Sequence, residues 1–273
     1  MSIRHIESKA STDNFIGAHV MTFRYEDTKE YWDKIWDFGE HRREHVILDG
    51  SDGEEEFDKE LRNRTVGKIV LDIGCGSGKF TLKIARKAKQ VMGIDISTIG
   101  LAQARRNMTR TGLRNADFRL ADASRLPSSA SSFDVVYSRR GPGSETLRTL
   151  SEAYRVLRKN GIFMQIEIGE RDKQNLARIF GRGQMLHVKS QVSDIKKKML
   201  EKVGFRKVVT RDYVGTEVFR GMPDLMVRLQ SAPIIPSYDP RRARKKLRRV
   251  QKECMTDRGI ETPVHRVVLV AVK

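Results

Sequence analysis

The stretch Val70-Leu71-Asp72-Ile73-Gly74-Cys75-Gly76-Ser77-Gly78 constrains the fold of this 273-residue chain more than any other. An apolar run suited to a buried strand ends in glycines at every second position. Having no Cβ, glycine tolerates positive φ and lets the backbone pass close to a ligand. Lys79 to Lys89 follows with Phe80, Ile84 and Ala88 four apart, which predicts a helix. Strand, glycine turn and helix together describe a nucleotide pocket at the edge of a parallel sheet.

The spacing narrows the nucleotide. A dinucleotide fingerprint needs glycines at positions one, three and six. Gly74 and Gly76 fit, but position six is Lys79 and the third glycine, Gly78, stands at five. Lys79 is followed by Phe80, so the Gly-Lys-Ser/Thr end of a P-loop is absent. Three more segments follow in order: Val91 to Ser97, with Asp95 at a strand tip; Leu120-Ala121-Asp122-Ala123, after a strand at 117–121; and Phe133 to Ser138.

Together these four segments resemble the motifs of the class I S-adenosylmethionine-dependent methyltransferases. The resemblance covers residues 60–213 and 265–272. It implies an α/β, doubly wound, mostly parallel seven-stranded sheet with helices on both faces and an antiparallel last strand. It also implies S-adenosylmethionine as cofactor. Asp72, Gly74, Cys75, Gly76 and Gly78 would pass under its methionine moiety, and Asp95, with Ile96 beside it, would accept from the ribose hydroxyls. Asp122 and Ala123 would lie at the adenine, and Ser138 at the end of the fourth strand. Taken singly, the acids also suit ordinary roles: Asp72 as a helix or turn cap, Asp95 capping a helix from Thr98, and Asp122 in a turn.

Alternating patterns place strands at 68–73, 90–95, 117–121, 133–138, 162–168, 205–214 and 265–272, and helices at 79–89, 98–110, 144–158 and 192–203. Ser144 is a possible cap for the third of these helices. Ahead of the core, residues 1–22 read as loosely ordered and Thr28 to Phe38 as a helix pairing Tyr31 with Ile35 and Trp32 with Trp36. The acidic, glycine-containing run Asp49 to Glu60 reads as a linker. The expected organisation is an N-terminal segment 1–60, a core 61–213, an insert 214–264 and a final core strand 265–273. In the insert, Arg241 to Lys252 reads as a basic helix opened by Asp239 and Pro240, with Ala243, Leu247, Val250 and Cys254 on one stripe.

Substrates of such a sheet approach the carboxyl ends of its strands. After the fourth strand stands Ser138-Arg139-Arg140-Gly141-Pro142, with neither the Asn/Asp-Pro-Pro-aromatic of exocyclic-amine enzymes nor the Pro-Cys of cytosine-C5 enzymes. Arg139 and Arg140 are candidates to grip a phosphate or carboxylate, or else form ion pairs. Glu167, Glu170 and His187 are the candidates for a proton acceptor. His265 opens an apolar strand and reads as structural. Phe180 to Gln184 reads as a mobile loop near the pocket mouth. No metal-ligating pattern is evident.

The formal charge is +18, and its distribution is uneven. Residues 1–60 hold 8 basic and 16 acidic side chains; the remainder holds 45 basic and 19 acidic. A body this basic concentrates polyanions, nucleic acid above all. RNA, bound through Arg241 to Lys252, is the favoured acceptor; a small molecule, with the insert as lid, is the alternative. Two cysteines, Cys75 and Cys254, make no disulfide framework. With no membrane-spanning run and a polar start, the expected setting is cytoplasmic. Nothing in the sequence sets the oligomeric state.

Overall fold

The computed structural model describes residues 28–38 and 45–273. The reading of residues 1–22 lies outside the described residues. The chain runs α1 (Lys29–Phe38), β1 (His45–Leu48), α2 (Glu54–Arg64), β2 (Ile69–Ile73), α3 (Lys79–Ala85), β3 (Gln90–Asp95), α4 (Thr98–Thr111), β4 (Ala116–Leu120) and β5 (Phe133–Arg139). It continues with α5 (Leu147–Val156), β6 (Leu157–Ile168), α6 (Gln174–Phe180), α7 (Val192–Val203), β7 (Arg206–Phe219), α8 (Met222–Gln230), α9 (Arg244–Cys254), β8 (Met255–Thr256) and β9 (Gly259–Val272).

These strands form one sheet in the order β1-β7-β9-β6-β5-β2-β3-β4, with β8 paired to β9. The neighbours β4, β3, β2, β5 and β6 pair in parallel. β9 runs antiparallel to both β6 and β7. This is the doubly wound α/β fold implied by the resemblance, except that the sheet has nine strands rather than seven. The additions are β1, antiparallel on the outer edge of β7, and the short β8. Strand order reverses between β3 and β5 on either side of β2, and the crevice at such a switch point is where ligands bind.

Helices cover both faces. On one, α5 and α7 place Leu150, Ala153, Val156 and Leu200 over Leu71, Ile73, Val136 and Phe163. On the other, α2 and α3 place Phe57, Leu61 and Ile84 over Val70, Val135, Tyr137 and Ile166. Full burial of a residue such as Phe57 or Leu61 contributes about 1.5–3 kcal/mol. The stretch read as an acidic linker is therefore partly helical: α2 has acids in its first turn, where the helix dipole favours them, and an apolar stripe that docks on the sheet. A boundary at residue 60 falls inside α2.

Two other boundaries move. β7 and β9 are each 14 residues long, so the insert proper begins after Phe219 and ends before Gly259. It is built on its own apolar cluster, in which Leu176, Ile179 and Phe180 of α6 meet Leu225, Leu229, Leu247, Val250 and Ile260. Phe180 is buried and packs edge-on against Tyr238, so the segment read as a mobile loop starts as the anchored end of α6. The stripe Ala243, Leu247, Val250 and Cys254 is buried as expected. The helix itself starts at Arg244, since Asp239 spends its carboxylate on the amide of Arg241 one turn earlier. Likewise α5 is capped by Thr146, not Ser144.

Candidate functional site

The bend after β2 is held open by glycine. Gly74, Gly76 and Gly78 all have positive φ, at 80°, 51° and 69°. The amides of Gly74 and Cys75 both donate to the Ile94 carbonyl of β3, and Gly78 N closes the turn on Cys75 O. A Cβ on Gly78 would lie 2.6 Å from Phe118 Cζ, so the third glycine lets α3 approach β4. A Cβ on Gly74 would meet Pro142 Cδ at 3.0 Å, which places the loop after β5 against the bend, across the switch point.

Asp95, at the tip of β3, faces this bend. Gly76 N donates to its Oδ2 and Ser97 N to its Oδ1, each at 2.8 Å. Burial pushes its pKa up, and backbone donors from Ser97, Gly76 and Ile96 pull it back. An ionised carboxylate offers about four lone-pair sites, so capacity remains for a ligand hydroxyl. The cap of α4 is Ser97, whose Oγ accepts from Gly100 N, and not Asp95. Ile96 is half-buried beside it.

Above the bend lies α1. Asp33 accepts from Ser97 Oγ at 2.6 Å and from Ile99 N at 3.1 Å, clamping α1 to the N-terminus of α4. These donors and Lys29 hold the Asp33 carboxyl well below its usual range, against the opposing effect of burial. The Trp36 indole covers Gly76 so closely that a Cβ there would sit 2.2 Å from Cζ2, and it also touches Gly100.

Asp72 lies beneath the bend. It is buried, and its Oδ2 accepts from Thr81 Oγ1 at 2.6 Å and Tyr137 Oη at 2.7 Å, tying β2 to α3 and β5. Burial lifts its pKa to about 6 in spite of these donors. Burial likewise raises the Cys75 thiol. Ser138, fully buried, gives its proton to the Ile73 carbonyl and staples β5 to β2 under the site. Asp122 is exposed and accepts from Ser124 N at 2.7 Å, a turn-forming role; Ala123 after it is buried in the core.

The two arginines at the end of β5 are engaged with protein. Arg139 donates through Nε to Asp58 at 2.9 Å and through Nη2 to Glu54 at 2.6 Å, and its guanidinium lies 5.0 Å from the Phe80 ring centroid. Arg140 pairs with the same Glu54 at 3.1 Å. Of the two alternatives for these residues, substrate grip and ion pairing, the structure takes the second. The acids of α2 that satisfy them sit in the stretch read as linker.

Among the proton-acceptor candidates, Glu167 is the one packed against the loop after β5. Ser144 Oγ donates to it at 3.2 Å and Lys196 Nζ lies 3.4 Å away, itself donating to Ser144 O at 2.6 Å. Burial raises the Glu167 pKa; the ammonium of Lys196 opposes this. On the same face of β6, Gln165 donates from Nε2 to Gly141 O, while its buried Oε1 has no partner among the described residues. Glu170 instead accepts from Val192 N at the start of α7. His187 is exposed. His265 is structural: buried, with Nδ1 accepting from Arg171 N at 3.2 Å and Nε2 donating to Asp212 at 2.9 Å. Glu170, Asp212 and His265 bring possible ligand atoms within 4.8 Å of one another, but both ring nitrogens are already engaged.

Sequence patterns did not single out Lys196. The signal was there: Val192, Lys196 and Leu200 are four apart on the buried stripe of α7, so a lysine occupies a core position.

A family model described as a methyltransferase domain matches residues 64–211. The fold is similar to that of the YcgJ protein from Bacillus subtilis, with a TM-score of 0.61 at 16% identity, covering 80% of this chain and 98% of that one. It is similar to that of BH2331 from Bacillus halodurans, with a TM-score of 0.61 at 18% identity over 80% and 99% of the two chains. Among curated proteins, the 23S rRNA (uracil(1939)-C(5))-methyltransferase RlmD of Xylella fastidiosa is 48% identical over 60 residues, 22% of this chain. The match spans 13% of that relative's length.

Proposed function

Because this chain belongs to the methyltransferase-domain family, an S-adenosylmethionine-dependent enzyme by fold and by family, we propose that it methylates RNA. The observation that carries the cofactor reading is the joint between bend and acid: Gly76, without a Cβ, gives its amide to Asp95. Gly74, Gly76 and Gly78 would let the cofactor approach the backbone, and Asp95 would take its ribose hydroxyls. Ile96 would flank the adenine, and Asp122 and Ala123 would border it. Asp72, Cys75 and Ser138 support the bend from below.

When bound, S-adenosylmethionine supplies a methyl group made electrophilic by its sulfonium. The chain's part is to position the acceptor and take its proton. We assign the proton to Glu167, whose burial raises its basicity and whose carboxylate Lys196 and Ser144 hold in place. RNA as acceptor is supported by the 45 basic against 19 acidic side chains after residue 60, and by the short match to an rRNA methyltransferase. The alternative acceptor is a small molecule with the insert as lid.

The test is incubation of the protein with methyl-tritiated cofactor and fractionated total RNA or deproteinised metabolites. Label in RNA, reduced at least tenfold by Glu167→Gln, is the expected result. Label confined to metabolites would overturn the RNA acceptor, and undiminished transfer by Glu167→Gln would overturn the proton assignment.

A further inference from the structure

Deepening the RNA reading, and resting on it, we propose that the outer face of α9 binds the phosphate backbone of double-stranded RNA. Around this helix the buried residues Leu247, Val250 and Cys254 fix one side. At 100° per residue, Arg244, Lys245, Arg248, Arg249 and Lys252 project on the opposite side, and all are exposed. Arg249 is paired with Glu253 at 2.9 Å. Arg244, Lys245, Arg248 and Lys252, together with exposed Arg241 just before the helix, have no carboxylate partner among the described residues. Like charges this close repel one another, an arrangement that a polyanion relieves.

The kind of RNA follows from what the face lacks. Single-stranded RNA is read by stacking splayed bases on aromatic rings, whereas duplex RNA is read through phosphates and shape. Among the described residues the one exposed phenylalanine, tyrosine or tryptophan is Phe38, on α1, and the exposed His187 precedes α7. Tyr238, the ring nearest in sequence to α9, is half-buried against Phe180. A face of arginine and lysine with no stacking platform suits a backbone whose bases are hidden in pairs.

The face is also fixed relative to the acceptor end of the sheet. α9 packs on α6 through the shared apolar cluster, and Asn175 of α6 donates to Cys254 Sγ at 3.4 Å and to Glu261 O at 2.9 Å. α6 itself follows β6, the strand carrying Glu167. A duplex on α9 is therefore held at a set distance from the crevice.

The experiment is fluorescence anisotropy with a labelled RNA duplex of about 20 base pairs, long enough for one such module, and with its separate single strand. The full-length protein and the triple variant Arg244→Glu, Arg248→Glu, Lys252→Glu are titrated at 50 and 200 mM salt. Expected are tighter binding of the duplex than of the strand and a log–log salt slope of about −4 to −5 for five contacts. The variant should lose affinity at least tenfold, with a slope shallower by about three. Calorimetric cofactor affinity should be equal in both proteins, which shows that the variant is folded. Preference for the single strand, or a triple variant that binds duplex as the parent does, overturns the proposal. Duplex binding that depends on α9, with label entering only metabolites, overturns the RNA acceptor and leaves the α9 surface standing.

Discussion

Asp72 carries a carboxylate that the fold does not want ionised. With its pKa lifted to about 6 from an ordinary value near 3.8, the folded chain holds the proton more tightly than the unfolded chain does. Its stabilising contribution is present at low pH and is lost as pH rises through about 6. Asp72→Asn keeps an oxygen for Thr81 and Tyr137 and removes the charge. Relative to the parent, the variant should gain about 1–3 kcal/mol of stability between pH 5 and pH 8, read by denaturant unfolding. A difference flat across that range would rule this out. Burial pushes Asp95 up as well, but there the opposing donors are the backbone amides of Ser97, Gly76 and Ile96 at the bend itself. Asp95→Ala should abolish cofactor binding by calorimetry; unchanged affinity would remove the ribose assignment. Both acids stood out in the sequence, in two of the four motif segments. Their division of labour did not, since it depends on which of them Tyr137 and Thr81, distant in sequence or facing inward, come to meet. Asp122 shows the reverse: its turn role was as legible as its ligand role, and its hydrogen bond to Ser124 N fits the turn.

At the scale of elements, the parallel strands and most helices were legible because each carries its own period, and the glycine bend marks its own ends. What escaped was held by contacts far apart in the chain. α2 reads as a polar linker until Arg139 and Arg140, more than seventy-five residues later, supply partners for Glu54 and Asp58. Removing one partner of such a pair leaves the others uncompensated, so Arg139→Ala should cost about 1–3 kcal/mol by chemical denaturation. An unchanged midpoint would show that α2 docks by Phe57 and Leu61 alone. α1 depends on fewer bonds: Asp33 to the start of α4, Trp36 on the glycines, and Gln103 to the Trp36 carbonyl. Asp33→Ala should speed amide exchange across Lys29–Phe38 about tenfold while β2 and β5 keep their protection, an effect of roughly 1.4 kcal/mol. Equal acceleration in β2 would mean that the clamp supports the sheet as well.

For the whole molecule, charge is the feature that the sequence gives directly and that the fold distributes. Basic side chains crowd a body whose apolar interior is divided between the two faces of the sheet and the cluster under α9. Self-repulsion lowers the stability of such a body, and salt screens it. The thermal midpoint should therefore rise by several degrees between 20 and 200 mM sodium chloride, a change of about 1 kcal/mol. A midpoint that falls over this range would mean that ion pairs such as those at Arg139 outweigh the repulsion. β7 and β9 reach past the parallel core as two antiparallel strands of 14 residues each, roughly 45 Å long, while β6 pairs with β9 only from Arg266 onward. The half of this ribbon beyond β6, edged by β1 and β8, works as a cantilever. It carries α8 and α9, packed against its own Phe219 and Ile260, beyond the parallel core without a hinge, so a load placed on them reaches the crevice as a tilt of β9 rather than as the slack swing of a tether.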